Sequence, residues 1–163
     1  MDFNENLLET VYCHDYSYQT FNERFKHEND LFVLNFNIRS FNSNISEFLH
    51  FLTQLNFLPD IIILSETWFL DDNFDVIDGY YGYHSGRENR RGGGISIFVK
   101  KNADVKVVPL FSESLPEIEF VHINIFYGGT SNVNILAIYR PPNQNMIDDF
   151  VMKLGNNFCR INI

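Results

Sequence analysis

The residues best placed to do chemistry stand at the ends of apolar runs. Leu31-Phe32-Val33-Leu34-Asn35-Phe36 runs into Asn37, Ile61-Ile62-Ile63-Leu64-Ser65 into Glu66, and the run from Val133 to Ile138 into Tyr139. Apolar runs of this length read as strands, and ligands in α/β sheets collect at carboxyl ends of strands. If the three ends converge, an amide, a carboxylate and a phenol surround one point. Mg²⁺ takes few protein carboxylates, keeps waters and completes its shell with substrate phosphate oxygens. One Glu on a rigid strand end suits such an ion, and Asn and Tyr suit the orientation of a phosphate. Each residue also has a plainer reading: Glu66 as a solvated loop residue, Tyr139 as packing at a turn, Asn37 as the start of a turn.

The elements that position these residues follow from the pattern around them. Residues 1–29 are polar and aromatic, with a weak helical signal at Tyr18–Lys26, and read as a leader. Leu31–Phe36 reads as a mostly buried strand. Ile45, Phe48, Leu49, Leu52 and Leu55 recur at helical spacing, Asn44 and Glu47 resemble a capping box, and Pro59 ends the helix. The β-branched run after Asp60 then gives a buried strand, so the unit is strand–helix–strand, most simply a right-handed crossover between parallel strands. Ile95–Lys100, Val105–Leu110, Glu119–Tyr127 and Val133–Tyr139 follow as short strands of an antiparallel meander, and Met146–Phe158 as a helix after Pro141-Pro142. The expected class is α/β, with one mixed β-sheet carrying helices on one face.

Bulk properties set outer limits. The chain has 163 residues and is 45% hydrophobic, enough for one packed domain. A net charge of −9 argues against simple non-specific DNA binding, which favours a basic protein. The charge is uneven, however. Between Gly82 and Lys106, Arg87, Arg90, Arg91, Lys100, Lys101 and Lys106 face only Glu88 and Asp104. Carboxylates holding a cation beside a basic patch holding phosphate would suit a metal-dependent nuclease. Cys13 and Cys159 stand in no metal-spaced motif and read as free thiols of a reducing compartment. The acidic start, Met1-Asp2-Phe3-Asn4-Glu5, lacks a signal-type apolar core, and no apolar run approaches bilayer length. The expectation is an intracellular protein, nuclear or cytoplasmic, neither secreted nor bound to a membrane.

Four motifs occur in order: Asn37-Ile38-Arg39-Ser40, Ser65-Glu66-Thr67-Trp68, Arg90-Arg91-Gly92-Gly93-Gly94-Ile95-Ser96-Ile97-Phe98, and Ile138-Tyr139-Arg140-Pro141-Pro142-Asn143. Together they resemble the endonuclease/exonuclease/phosphatase (DNase I-like) superfamily, and within it the apurinic-endonuclease-like domain of non-LTR (LINE-type) retrotransposons. The resemblance runs from about Leu31 to Phe158. It implies a domain over residues 30–158, followed by a tail at 159–163. The implied fold is the N-terminal half of the four-layer α/β sandwich. The resemblance also implies Mg²⁺ as cofactor, with Mn²⁺ as a substitute, and DNA as the partner to be nicked for reverse transcription. By motif, Asn37 matches the asparagine of the metal and phosphate site, Glu66 the Mg²⁺ ligand and Tyr139 the tyrosine on the scissile phosphate.

Around these, Arg39 and Ser40 either contact phosphate or pack at the turn against Trp68. Trp68 reads as a structural wedge. Arg87, Arg90 and Arg91 either meet the DNA backbone or form a solvated loop, and Arg140 follows the active-site tyrosine. Gly92-Gly93-Gly94 reads as a tight turn into a strand, with no following Lys-Ser/Thr of a phosphate loop. The five histidines form no ligand pattern.

The family also carries a Gly-Asp-Phe-Asn and a Ser-Asp-His motif in a second half, and neither string occurs in these 163 residues. Asp148-Asp149-Phe150 falls in the expected helix and does not substitute. Hydrolysis needs an activated water and stabilised phosphoryl oxygens, and losing one such group costs on the order of 10²–10⁴-fold. The expectation is a truncated endonuclease, inactive alone. The alternatives are a module that self-associates or complements another half through a bare apolar sheet face, and a phosphatase of the same superfamily.

Overall fold

The computed structural model describes residues 31–69, 77–86, 92–102, 105–114, 118–127 and 131–140. The chain runs β1 (Val33–Asn37), α1 (Phe41–Thr53), β2 (Ile61–Ser65), β3 (Tyr80–Ser85), β4 (Ile95–Lys100), β5 (Val105–Ser114), β6 (Glu119–Tyr127) and β7 (Ser131–Tyr139). The leader and its helical stretch, the helix expected at Met146–Phe158 and the tail lie outside the described residues.

The strand–helix–strand unit forms with parallel strands, as expected. β1 and β2 pair in parallel from Val33↔Ile61 to Asn37↔Ser65, with α1 between them. The α1 helix starts a turn earlier than the Asn44/Glu47 pattern suggests. Ser40 sits at its N-cap at φ 87° without a side-chain cap, and the left-handed residue turns the chain straight from β1 into the helix. Asn44 is then free to tie the helix back to the preceding loop, donating from Nδ2 to the carbonyls of Ile38 (2.8 Å) and Arg39 (2.9 Å). The buried face is Phe41, Phe48 and Leu52, with Ile45 partly buried. Leu49, expected on that face, falls off the stripe and is exposed.

Two corrections concern the sheets. The strands do not form one mixed sheet. They divide into a mixed four-stranded sheet in the order β1-β2-β4-β3 and an antiparallel three-stranded sheet in the order β5-β6-β7. The physical reason is visible in β4. Ile95, Ser96, Ile97, Phe98 and Val99 are all buried, so both faces of the strand need a partner layer. Phe98 joins Ile62, Leu64, Phe41, Phe48 and Leu52 under α1, whereas Ile95, Ile97 and Val99 pack on Val121, Ile123, Ile125 and Ala137 of the second sheet. The sheet face expected to stand bare is therefore covered. β3, with no clear alternation in Tyr80-Tyr81-Gly82-Tyr83-His84-Ser85, is a strand that sequence pattern did not show.

The second correction is β1, expected to be mostly buried. Within the described residues it pairs only with β2, and Val33, Asn35, Phe36 and Asn37 are exposed. The three-stranded sheet packs over β2, β3 and β4, through Ile61 and Ile63 as well as Tyr83, Ile97 and Val99. On the other edge of the assembly, β5 accommodates Pro109 at a register shift before Phe111, as an edge strand permits. No helix among the described residues is long and apolar enough to cross a membrane.

Tyr80 ties β3 to the loop before β2, its hydroxyl donating to the Pro59 carbonyl at 2.7 Å. Burial, reinforced by the nearby Asp60 carboxylate, pushes its pKa from 10.0 up to about 12. The folded protein thus holds this proton more tightly than the unfolded chain, so the stability involved is complete below pH 10.0 and disappears as pH rises towards about 12. Urea denaturation at stepped pH should show this alkaline loss in the parent chain. Tyr80→Phe should lose about 1 kcal/mol at neutral pH from the deleted hydrogen bond and show a smaller decline over the same alkaline window.

Candidate active site

Beyond the last residues of β1 and β2 and before the first residue of β4, the three chain segments remain stitched together. Ile38 N–H donates to the Ser65 carbonyl (3.0 Å), Ser40 N–H to Glu66 (2.8 Å) and Phe41 N–H to Thr67 (2.9 Å). On the other side, Thr67 N–H donates to Gly94 (3.3 Å) and Trp68 N–H to Gly93 (3.0 Å). Three loops thus form an irregular continuation of the sheet. The non-glycine residues at positive φ among the described residues all lie here: Arg39 (47°), Ser40 (87°), Glu66 (56°) and Trp68 (57°). Such conformations cost on the order of 1–3 kcal/mol each and persist only where surrounding structure enforces them, most often at functional sites.

The bent backbone brings the three expected residues to one place. Asn37 Nδ2 donates to Glu66 Oε1 at 2.9 Å, and the Tyr139 hydroxyl lies 3.5 Å from the same oxygen. Asn37 Oδ1 accepts from Arg39 N–H at 3.1 Å, which fixes which end of the amide is oxygen. The amide thereby orients the carboxylate while its own oxygen is engaged. Both contacts to Glu66 use Oε1, and among the described residues Oε2 makes no hydrogen bond. These residues come from both sheets: Asn37 and Glu66 extend β1 and β2, and Tyr139 ends β7 of the second sheet. The common rim expected on one sheet is a rim between two.

The remaining expected residues divide. Arg39 and Arg140 are exposed beside Asn37 and Tyr139 respectively. Ser40 is nearly buried and its hydroxyl shares a hydrogen bond with Ser43 (3.1 Å), a local role at the start of α1. Arg87, Arg90 and Arg91 lie outside the described residues. His84 meets Ser96 (2.8 Å) and packs against Phe69 and Phe98 on the α1 side of the sheet. His122 projects from β6 away from the inter-sheet core. Burial holds its pKa below 6.5, partly offset by a hydrogen bond with Asn134.

Sequence spacing gave no hint of Glu119. It is completely buried at the start of β6, directly across from Tyr139 on β7, and accepts a hydrogen bond from Gly94 N–H. A β-carbon at Gly93 would lie 2.5 Å from its Oε1. As the first residue of an expected strand, an acidic side chain gives no sign of burial; only the register beside Tyr139 reveals its place.

A match over residues 34–157 to the Endonuclease/Exonuclease/phosphatase family places the chain in that family, whose members are nucleases and phosphatases. Solved structures similar to the chain include a 3′ phosphatase, NExo, from Neisseria bound to a product DNA hairpin, at 18% identity and a TM-score of 0.47 over 80% of this chain and 49% of that one. Another is an AP endonuclease from Archaeoglobus fulgidus, at 20% identity and a TM-score of 0.48 over 79% of this chain and 49% of that one. The chain spans about half the length of each. Comparison with curated proteins gives no match.

Among the described residues, no group of three His, Cys, Asp or Glu side chains gathers around a point. One oriented carboxylate with an open oxygen fits a hard cation that keeps most of its waters, such as Mg²⁺, and does not fit a closed zinc site.

The glycine turn should be the most sensitive support of this geometry. A β-carbon at Gly94 would overlap Thr67 Oγ1 and lie 3.1 Å from Trp68 N, at φ +89°. Gly79 has a similar φ of +80° but open space around it. Chemical denaturation should therefore show Gly79→Ala costing about 1 kcal/mol and Gly94→Ala about 3 kcal/mol. Equal losses at the two positions would mean that the turn is not tightly packed.

Proposed function

We propose that this chain carries part of a Mg²⁺-dependent phosphodiesterase centre that acts on DNA, with Glu66 as the cation carboxylate. The single observation behind this reading is the convergence of Asn37, Glu66 and Tyr139 from two sheets, with one carboxylate oxygen clamped and the other open. A bound Mg²⁺ would neutralise phosphate charge and polarise the phosphoryl group. The chain's own residues have distinct tasks. Asn37 holds the Glu66 carboxylate in one orientation. Tyr139, its hydroxyl 3.5 Å from Glu66 Oε1, would donate its proton to a phosphate oxygen. Arg39 and Arg140, exposed at the same rim, meet the nucleic-acid backbone.

The four ordered motifs favour an apurinic-endonuclease-like domain of LINE-type retrotransposons as the setting, with DNA nicking as the reaction. A water-activating base is not found next to Glu66 among the described residues: His84 is engaged with Ser96, and His122 faces away from the inter-sheet core. On this reading residues 1–163, which contain neither the Gly-Asp-Phe-Asn nor the Ser-Asp-His string, bind the cation without turnover. A second reading, an association module, draws on the exposed edge strand β1, where Val33 and Phe36 are each 43% accessible; a strictly monomeric chain in light scattering at high concentration would count against it.

Mn²⁺ binding, followed by the loss of the free-ion EPR signal, tests the main reading directly. The parent chain should bind Mn²⁺, Mg²⁺ should compete, and Glu66→Ala should weaken binding at least about tenfold. Affinity unchanged by Glu66→Ala would remove the proposed cation site. In parallel, supercoiled plasmid with Mg²⁺ should remain intact. Nicking that disappears with Glu66→Ala would keep the site and overturn the claim of inactivity.

A further inference from the structure

Tyr139 and Glu66 belong to different sheets, so their 3.5 Å approach depends on how the sheets are aligned at this rim. Apolar contact between Ile97, Val99, Ile123 and Ile125 holds the layers together but is non-directional, and fixes sliding only loosely. The site end differs in kind. The inward-facing positions of β6 are Glu119, Val121, Ile123 and Ile125, and the exception to the apolar series is the residue nearest Tyr139. A fully buried carboxyl group is costly, and an aliphatic residue in its place generally gives equal or greater stability. Its presence therefore calls for a role other than core filling.

We propose that Glu119 is a positioning residue that clamps the Gly93–Gly94 turn from the opposite sheet and thereby sets Glu66 against Tyr139. Three observations meet in it. Glu119 accepts from Gly94 N–H across the gap between the sheets. The carbonyls of Gly93 and Gly94 accept from Trp68 and Thr67, so the turn held by Glu119 holds the segment containing Glu66. In register, Glu119 stands directly opposite Tyr139. One side chain is thus joined to the tyrosine through the β6–β7 ladder and to the glutamate through the glycine turn. Gly93 is required because a β-carbon there would occupy the space of the carboxyl group. Glu119 needs no contact with substrate; its effect on a bound cation runs through the placement of Glu66.

The role for cation binding rests on the proposed function of Glu66, whereas the clamp itself has an independent reporter. Trp68, the one tryptophan in the sequence, lies in the clamped segment. In the full chain, Glu119→Ala should shift Trp68 emission without metal and weaken Mn²⁺ binding by about tenfold or more. Glu119→Gln, which keeps an acceptor for Gly94 N–H, should return both readouts most of the way to the parent values. Val121→Ala, a buried neighbour on the same strand face, should lower the thermal midpoint while leaving emission and Mn²⁺ affinity in place. If Glu119→Ala does not fold, Glu119→Asp replaces it. With a shorter reach, Asp should shift the emission, and Gln should not. Glu119→Ala or Glu119→Asp matching Val121→Ala in both emission and affinity would overturn the clamp. If the parent chain binds no Mn²⁺, the cation role of Glu66 fails, and the pattern of Trp68 emission still decides whether Glu119 holds the turn.

Discussion

The structure turns on a run of backbone hydrogen bonds that continues where regular strand geometry stops. After Asn37, Ser65 and before Ile95, the chain could fray into solvent loops. Instead, residues 38–41, 65–68 and 93–94 remain bonded to one another, at the expense of left-handed conformations at Arg39, Ser40, Glu66 and Trp68. Strain of this kind is sustained only by a rigid surround. Parallel pairing of β1 with β2, the antiparallel insertion of β4 beside β2, and the α1 helix tied back by Asn44 supply it. The Glu66 carboxylate sits at the middle of that ladder, with far less freedom than a side chain on an ordinary loop.

Two packed sheets add a second constraint. β4 is buried on both sides, with α1 and its phenylalanines on one face and the aliphatic residues of β6 and β7 on the other. Interiors of this density resist sliding by whole side chains but leave small adjustments open. At the rim where Tyr139 approaches Glu66, directional bonds take over from apolar packing. The Glu119–Gly94 bond crosses between the layers there, and the glycines exist in the turn because carboxyl and hydroxyl groups occupy the places of their absent β-carbons.

The electrostatics fit the same picture. A chain with net charge −9 gains little from non-specific attraction to DNA. A single oriented carboxylate with an open oxygen can recruit a divalent cation, and the exposed Arg39 and Arg140 stand at the same rim. The buried His122, kept below its usual pKa, contributes no positive charge there near neutral pH.

Much of the local structure was legible in the amino-acid sequence. The Leu31–Leu64 crossover, the bounds of β4 and β6 and the end of β7 at Tyr139 follow from runs of apolar and β-branched residues, because burial and strand period act over a few neighbours. Ordered motifs likewise marked Asn37, Glu66 and Tyr139. Three things were decided only in tertiary structure. The strands separate into two sheets because β4 requires cover on both faces, a demand set by what packs above it. β1 is exposed as an edge strand that, among the described residues, pairs only with β2. Glu119 stands beside the site because β6 and β7 pair in one particular register, bringing together residues twenty positions apart. Periodicity records which side of an element is apolar; the partner and the alignment are fixed only when the layers meet.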